Sequence, residues 1–145
     1  LHTPWSPDGS RFAFRATNAA ANNDIYVLER ANGTTTRMTT DPGMDIFARW
    51  APDSSLTFTS TRNDESRIWR IAAGNSEPKP FSQSGMSYHD WAPDGLHLYA
   101  IGVQAREGNI WEVSLDGEER PVTDLAGERR GNLGTEAMAT DGKYV

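Results

Sequence analysis

Four aspartates that recur along the chain are the first candidates for carboxylate chemistry. They are Asp8, Asp53, Asp94 and Asp141, and each lies in a short polar turn. A periodic arrangement spreads the four carboxylates through the molecule, so they cannot converge on one substrate or ion. We expect each aspartate to close its own turn instead, by accepting hydrogen bonds from nearby backbone amides.

A serine and a histidine stand close together in residues 85–89, but the segment does not form a nucleophile elbow. The G-x-S-x-G pattern requires glycine where this sequence has His89, and it requires a helix where a strand is predicted. Ser87, His89 and Asp90 are also too close in sequence to form a catalytic triad. We therefore expect that this chain has no catalytic residues and is not an enzyme.

The sequence contains little that indicates a metal or cofactor site. The chain has no cysteine and only three histidines, at positions 2, 89 and 97, with none of the helical spacing that pairs two ligands. The loops 22–24 and 63–65 are rich in side-chain oxygens and could hold a hard cation such as calcium. Solvated turns between strands are the simpler interpretation of both loops. We expect no metal and no other cofactor.

Charge and hydropathy exclude two classes of partner. The formal net charge is −6, and an acidic surface repels phosphate backbones, so nucleic acid is not expected to bind. No apolar run approaches the ~20 residues that a membrane-spanning helix needs. We therefore expect no membrane span.

A repeat of 41 to 47 residues positions the candidate groups. Its first landmark is a tryptophan followed by a turn, at residues 5–9, 50–54 and 91–95, with a weaker copy at 138–142. Its second landmark is an isoleucine–aromatic pair, at residues 25–26, 68–69 and 110–111. Two landmarks in constant phase indicate a true repeat, and this period is typical of a four-stranded propeller blade of about 40–50 residues.

Each copy is predicted to contain four strands joined by hairpins. In the first copy they cover residues 3–6, 11–15, 25–28 and 35–39, with a proline–aspartate–glycine turn between the first two. In the second copy this connection is one residue shorter and Ser54 replaces the glycine, so we expect a distorted turn.

The predicted fold is all-β: a propeller segment of four-stranded antiparallel blades, with three blades and the first hairpin of a fourth. A single domain, residues 1–145, would divide into blades at 1–45, 46–86 and 87–127 and a partial blade at 128–145. Three and a half blades do not close a ring. Two explanations stay open: further blades in a longer protein, or self-association of two chains that completes the ring.

The repeat resembles a known family. The first copy reads W-S-P-D-G-x-R-F-A-F-R, then D-I-Y-V-L, then G-T-T-T-R-M-T, and this resembles the WD40-like repeat of the TolB-type (PD40) propellers. The same repeat occurs in propellers fused to prolyl-oligopeptidase-like peptidases and in bacterial outer-membrane, periplasmic and secreted proteins. The resemblance implies a bacterial protein in the periplasm or outside the cell. It is specific for the fold and not for the function.

In a propeller the first strand of each blade lines the central channel. The residues just before the first landmark of each copy, including positions 2 and 3, are therefore candidate binding residues. We single out four whose polarity the fold alone does not require: Arg49, His89, Asp90 and Glu136. Buried charge is costly unless it is paired or hydrated, so we expect these side chains to face a hydrated channel and to contact a ligand there. The tryptophans Trp5, Trp50 and Trp91 are expected in the core between blades.

These observations predict a non-catalytic scaffold that binds a protein or peptide at the channel rim. The alternative is the propeller portion of a larger prolyl-oligopeptidase-like peptidase whose catalytic serine lies elsewhere. A carbohydrate-binding or lyase propeller would need clustered exposed aromatic residues and a metal, and the sequence indicates neither.

Overall fold

Three antiparallel sheets follow one another along the chain in a computed structural model that describes residues 4–75, 77–83, 85–103 and 108–124. The first sheet contains β1 (Arg11–Thr17), β2 (Asn23–Glu29) and β3 (Thr35–Arg37). The second contains β4 (Asp45–Trp50), β5 (Leu56–Ser60), β6 (Arg67–Ile71) and β7 (Lys79–Pro80). The third contains β8 (Met86–Trp91), β9 (His97–Gly102), β10 (Ile110–Ser114) and β11 (Glu119–Pro121). A short 3-10 turn at Arg62–Asp64 joins β5 to β6.

Within each sheet every strand pairs with the next strand in the chain, so each sheet is an up-and-down blade. This confirms the predicted all-β fold built from propeller blades. The described part of the first strand of blade 1, which starts at residue 4, forms one bridge, between Trp5 and Phe12. The opening hairpin predicted for a fourth blade lies outside the described residues. The outer strands are short, and Pro80 and Pro121 lie in them because only an edge strand tolerates a residue without an N–H.

The proline–aspartate turns have one geometry in all three blades. The amides of Gly9, Ser54 and Gly95 donate to the carbonyl three residues earlier, at 2.8, 2.9 and 2.9 Å. Ser54 adopts a left-handed φ of 64°, close to the 69° of both glycines. The prediction of a distorted turn at Ser54 is therefore wrong. Blade 2 is one residue shorter in the segment that follows the turn, and the turn itself keeps the geometry of the other two blades.

The turn aspartates act as predicted in the three described copies. Their carboxylates accept the amide two residues later, at 3.0 Å in Asp8, 3.0 Å in Asp53 and 2.8 Å in Asp94. The hydroxyl of Ser6 and the amide of Ser10 lower the pKa of Asp8 to about 2. These carboxylates are thus committed to backbone geometry, while Asp141 lies outside the described residues.

A second repeated hydrogen bond joins the third strand of each blade to the chain leaving its fourth strand. The hydroxyls of Thr39, Ser82 and Thr123 accept the backbone amides of Ile25, Ile68 and Ile110 at 3.0, 3.0 and 2.9 Å, respectively. Each bond supplies an acceptor for a backbone amide of the third strand that the short fourth strand does not pair with. The repeat therefore includes a hydroxyl residue 13 or 14 positions after its isoleucine.

The hydrophobic core lies between blades. One cluster of buried apolar side chains joins blade 1 to blade 2, and Trp50 packs against it. Another cluster joins blade 2 to blade 3 and includes Trp91. Trp5 differs from the expectation: it is 39% exposed and meets Phe12 edge-on. No described blade covers that face of blade 1. Among the described residues, no helical segment has the length and apolarity needed to cross a bilayer.

Candidate functional site

The first strands of blades 2 and 3 carry matching irregularities. The register of β4 against β5 shifts between Ile46 and Arg49, and that of β8 against β9 shifts between Met86 and His89. A bulge of this kind places two residues opposite one and turns side chains away from the regular alternation. Phe47 and Tyr88 are the equivalent bulged residues, and their rings meet edge to face with centroids 5.2 Å apart. The two bulges thus bring a pair of aromatic side chains together.

Phe47 has a left-handed φ of 55°. An aromatic residue rarely adopts this conformation, which costs of order 1–3 kcal/mol and persists only where the surroundings impose it. Strained backbone of this kind concentrates at sites that serve a function beyond folding.

Arg49 reaches across the boundary between the two blades. Its Nη2 donates to the Tyr88 hydroxyl at 3.0 Å, its Nη1 donates to the Ala48 carbonyl at 2.9 Å, and its guanidinium carbon lies 5.2 Å from the centre of the Tyr88 ring. About one fifth of its side chain stays exposed. The guanidinium is therefore held in place yet still open to a ligand on one side.

Asp90 forms the other half of a charge pair with Arg49. The Arg49 Nε and the Asp90 Oδ2 are 3.5 Å apart, and only 8% of the Asp90 side chain is exposed. The other carboxylate oxygen, Oδ1, accepts the Trp91 amide at 2.9 Å. Two of the predicted site residues are thus brought together, one from each blade.

His89 is not placed where the sequence predicts it. Its side chain has no exposed surface and lies between blades 2 and 3, so it does not face a hydrated channel. Its Nε2 is 3.0 Å from the Thr57 Oγ1, which also accepts the Trp91 indole N–H at 3.1 Å and donates to the Arg49 carbonyl at 3.2 Å. Since that hydroxyl proton is used, we assign Nε2 as a donor. His89 supports the strand that carries Arg49.

Burial also removes His89 from acid–base chemistry near neutral pH. Loss of hydration of the imidazolium, and then the nearby Arg49 guanidinium, lower the pKa of His89 to about 3. A neutral imidazole packed against two threonines has no route to a substrate. Glu136, the fourth predicted site residue, lies outside the described residues, and the binding roles of Arg49 and Asp90 stay predictions.

Sequence reasoning missed Phe47 and Tyr88. Phe47 and Tyr88 stand two residues before Arg49 and Asp90, respectively. Regular strand alternation would place each aromatic residue on the same side of its strand as that charged residue, and it would not predict the contact between the two rings. The bulge that pairs them has no sequence signal, since neither position carries glycine. The repeat alignment was the available signal: it makes Phe47 equivalent to Tyr88, a matched aromatic pair beside a charged pair.

The described residues contain no group of three histidine, cysteine, aspartate or glutamate side chains placed to hold a metal ion. In the first of the two oxygen-rich loops, residues 22–24, the Asp24 carboxylate is bound by Arg37 at 2.7 Å and by the side-chain amide of Asn18 at 2.7 Å. What the site offers chemically is a guanidinium, a phenol and a carboxylate beside two aromatic rings. These groups recognise carbonyls, carboxylates and apolar side chains.

Known proteins share both the sequence and the fold of this chain. The chain is 28% identical over 137 residues to dipeptidyl-peptidase 5 of Porphyromonas gingivalis, an alignment that covers 82% of the chain and 20% of the peptidase. TolB from Acinetobacter baumannii superposes with a TM-score of 0.72 at 27% identity, over 82% of the chain and 31% of that structure. An oligogalacturonate lyase crystallised with manganese shares the fold, with a TM-score of 0.67 at 17% identity, over 84% of the chain and 39% of the lyase.

The chain therefore spans between about a fifth and two fifths of the length of these proteins. The lyase comparison concerns the fold alone at that identity. Residues 2–130 match the sequence profile described as the TolB beta propeller domain, which covers most of the chain. The blades, the repeated turns and this match together place the chain in one family: it belongs to the TolB β-propeller domain (PD40) family.

Proposed function

We propose that this chain is a non-catalytic propeller segment that binds a protein or peptide through the first strands of blades 2 and 3. The observation that carries the proposal is the Arg49 guanidinium, held by Tyr88 and Asp90 at the blade boundary with one fifth of its side chain exposed. Arginine and tyrosine are the residues that most often dominate the energetics of protein interfaces. A pre-ordered guanidinium also loses less side-chain entropy on binding.

The chemistry of the site fits a polypeptide ligand better than a reaction. The guanidinium and the phenol donate to backbone carbonyls or to a carboxylate, and the Phe47–Tyr88 pair offers an apolar surface. Among the described residues, His89 is the one histidine at the site, and it is buried and neutral. A nucleophile with an adjacent base, which acyl transfer requires, is not present among the described residues of this site.

The test is a comparison of bound proteins by quantitative mass spectrometry. Cross-linked complexes would be isolated with the unchanged protein and with Arg49→Ala and Arg30→Ala variants; Arg30 is an exposed arginine on blade 1. We expect at least one partner whose recovery falls about tenfold with Arg49→Ala, the loss that ~1.4 kcal/mol produces, and is unchanged with Arg30→Ala. Equal recovery with both variants would remove the proposal.

The peptidase alternative is supported by one observation, the 28% identity to dipeptidyl-peptidase 5. In that case these blades would guide or select substrates for a catalytic serine elsewhere in the protein. Sequencing the gene beyond the codon for Val145 distinguishes the two: a G-x-S-x-G elbow favours the peptidase. Labelling of the intact protein by a fluorophosphonate probe, which modifies activated serines, gives the matching biochemical answer.

We also propose a periplasmic or extracellular location in a bacterium, which the family resemblance supports. Fractionation of cells that express the intact protein, followed by immunoblotting, tests this. Recovery with the cytoplasmic fraction alone would contradict it.

A further inference from the structure

A cleft of about 180 Å³ opens between blades 1 and 2, at the end of the blades that carries the proline–aspartate turns. Its accessible wall is about as polar as it is apolar, and the apolar part includes Val27, Met38, Trp50, Leu56 and Ile71. Half-buried or exposed polar residues also line it, among them Arg11, Glu29 and Thr36. This cleft is separate from the Arg49 site, because none of its lining residues takes part in that site.

The next blade boundary shows what fits beside such a tryptophan. Met38 and Phe81 hold equivalent positions, since their amides donate to the carbonyls of Ile25 and Ile68 at 2.8 and 2.9 Å. Between blades 2 and 3, the Phe81 ring lies 6.0 Å from the ring of Trp91, which is the equivalent of Trp50. Between blades 1 and 2, Met38 takes the place of that ring, and the cleft lies open beside Met38 and Trp50. The repeat therefore shows that a phenyl ring packs beside the equivalent tryptophan at the next blade boundary.

The groups around the opening favour an aromatic side chain. The Arg11 guanidinium carbon lies 4.4 Å from the centre of the Trp50 ring, which orders both groups. A methionine sulfur, such as that of Met38, interacts favourably with an aromatic ring placed beside it. The volume is smaller than the roughly 300–1,000 Å³ of sites for drug-sized ligands, so it suits a single side chain.

We propose that this cleft binds a phenylalanine or tyrosine side chain that projects from an extended segment of a protein partner. The ring lies beside Trp50 and Met38. Arg11 then donates to a carbonyl of the bound segment, and Glu29 accepts one of its amides. This is a second contact, independent of the Arg49 site.

The probe is the peptide acetyl-Gly-Phe-Gly-amide, titrated into the intact protein and followed by NMR. The reporter is the indole N–H of Trp50, which donates to the Pro4 carbonyl at 3.0 Å. We expect this signal to shift with saturation while the Trp69 and Trp111 signals do not. Acetyl-Gly-Ala-Gly-amide is expected to need at least about tenfold more peptide for the same shift.

Two variants block the cleft by different routes. Met38→Phe fills it from within, and it should fold because Phe81 stands at the equivalent position. Ala73→Tyr covers it from an exposed turn that cannot disturb the core. Both should abolish the Trp50 shift, whereas Met44→Phe, at a 40% exposed methionine outside the cleft, should retain it.

Three results would overturn the proposal: no Trp50 shift with the phenylalanine peptide, an equal shift with the alanine peptide, or a shift that survives both blocking variants. Toluene is the remaining control. If toluene saturated the shift of the Trp50 signal at the same concentration as the phenylalanine peptide, the peptide backbone would contribute nothing to binding. That result would also overturn recognition of a peptide segment.

Discussion

Arg49 and Asp90 hold the same position on the first strands of successive blades, opposite Thr57 and Tyr99, and their side chains pair across the blade boundary at 3.5 Å. The repeat thus supplies opposite charges at one position in neighbouring copies. Because both groups are largely buried, each one limits the cost of burying the other. The pair couples the packing of two blades to the candidate binding site.

A double-mutant cycle measures this coupling. We expect Arg49→Met and Asp90→Asn to show a coupling free energy of about 0.5–3 kcal/mol in urea unfolding, because the two groups share a partly buried contact. The exposed pair Arg67–Glu65, at 3.3 Å, is the control and should give about 0–1 kcal/mol. A coupling at Arg49–Asp90 no larger than at the control pair would contradict an ordered site.

The buried His89 should make the protein sensitive to mild acid. Its pKa is about 3 in the folded state, whereas a free histidine titrates near 6.5. Between these values the unfolded chain binds the extra proton, so stability falls as the pH drops below 6.5, with a slope approaching ~1.4 kcal/mol per pH unit. Stability attributable to His89 is fully present above pH 6.5.

The measurement is the midpoint of urea unfolding at pH 7.5, 6.5, 5.5 and 5.0. These pH values lie above the range in which most carboxylates titrate. His89→Gln should remove most of the slope between pH 6.5 and 5.0. The matched control is His97→Gln, at a histidine on the surface beside Asp94, and it should leave the slope in place. An unchanged slope in His89→Gln would show that His89 is protonated in the fold.

The turn in blade 2 offers a stabilising substitution. Ser54 is held at a φ of 64°, a conformation that glycine adopts without the penalty of a Cβ atom. Ser54→Gly is expected to raise the free energy of unfolding by about 0.5–1 kcal/mol, because relief of the roughly 1–2 kcal/mol left-handed cost exceeds the roughly 0.5–1 kcal/mol entropy cost of glycine. The reverse change at the equivalent residue, Gly95→Ser, should destabilise by more than this gain, because a Cβ there would lie 2.6 Å from the Pro52 Cγ.

Both turn variants are read by thermal and urea unfolding. A loss of stability in Ser54→Gly would mean that the serine side chain contributes more than its backbone costs. A neutral Gly95→Ser would mean that the boundary between blades 2 and 3 is looser than described.

The repeated hydroxyl–amide bond should contribute to stability wherever it is buried. Thr39→Val keeps the shape of the side chain but leaves the Ile25 amide without its acceptor, a loss of about 1–3 kcal/mol. Thr39→Ser retains the hydroxyl and should cost less. Amide hydrogen exchange at Ile25 gives a local readout: faster exchange in Thr39→Val and near-normal exchange in Thr39→Ser. Equal exchange in both variants would argue against the bond.

The repeat made the fold predictable, because turns and strands recur at fixed spacing and each tryptophan marks a first strand. The turn aspartates were predictable for the same reason, since Asp8, Asp53 and Asp94 need only local backbone geometry. The exposure of Trp5 depends on what lies beside blade 1, which a local pattern does not contain. Strand alternation could not anticipate the shift before Arg49, where a bulge changes which side chains face the neighbouring blade.

The geometry of the candidate site could be predicted from the sequence only in part. Arg49 and Asp90 were identified as polar residues on first strands, and the structure adds that they pair with each other. The prediction that His89 faces solvent rests only on its position in the first strand of a blade. In the fold, Thr57 and Thr59 of the neighbouring blade surround its ring with buried polar groups. Tyr88 became visible only through its contacts with Arg49 and Phe47.

The most direct test of binding at the blade boundary is the dissociation constant of a purified partner, measured by isothermal titration calorimetry. The partner is the protein recovered through its dependence on Arg49. We predict that Arg49→Ala weakens binding at least about tenfold, a cost of ~1.4 kcal/mol, while Arg30→Ala changes it less than about twofold. Equal affinity for the unchanged protein and Arg49→Ala, with both folded by circular dichroism, would contradict the account.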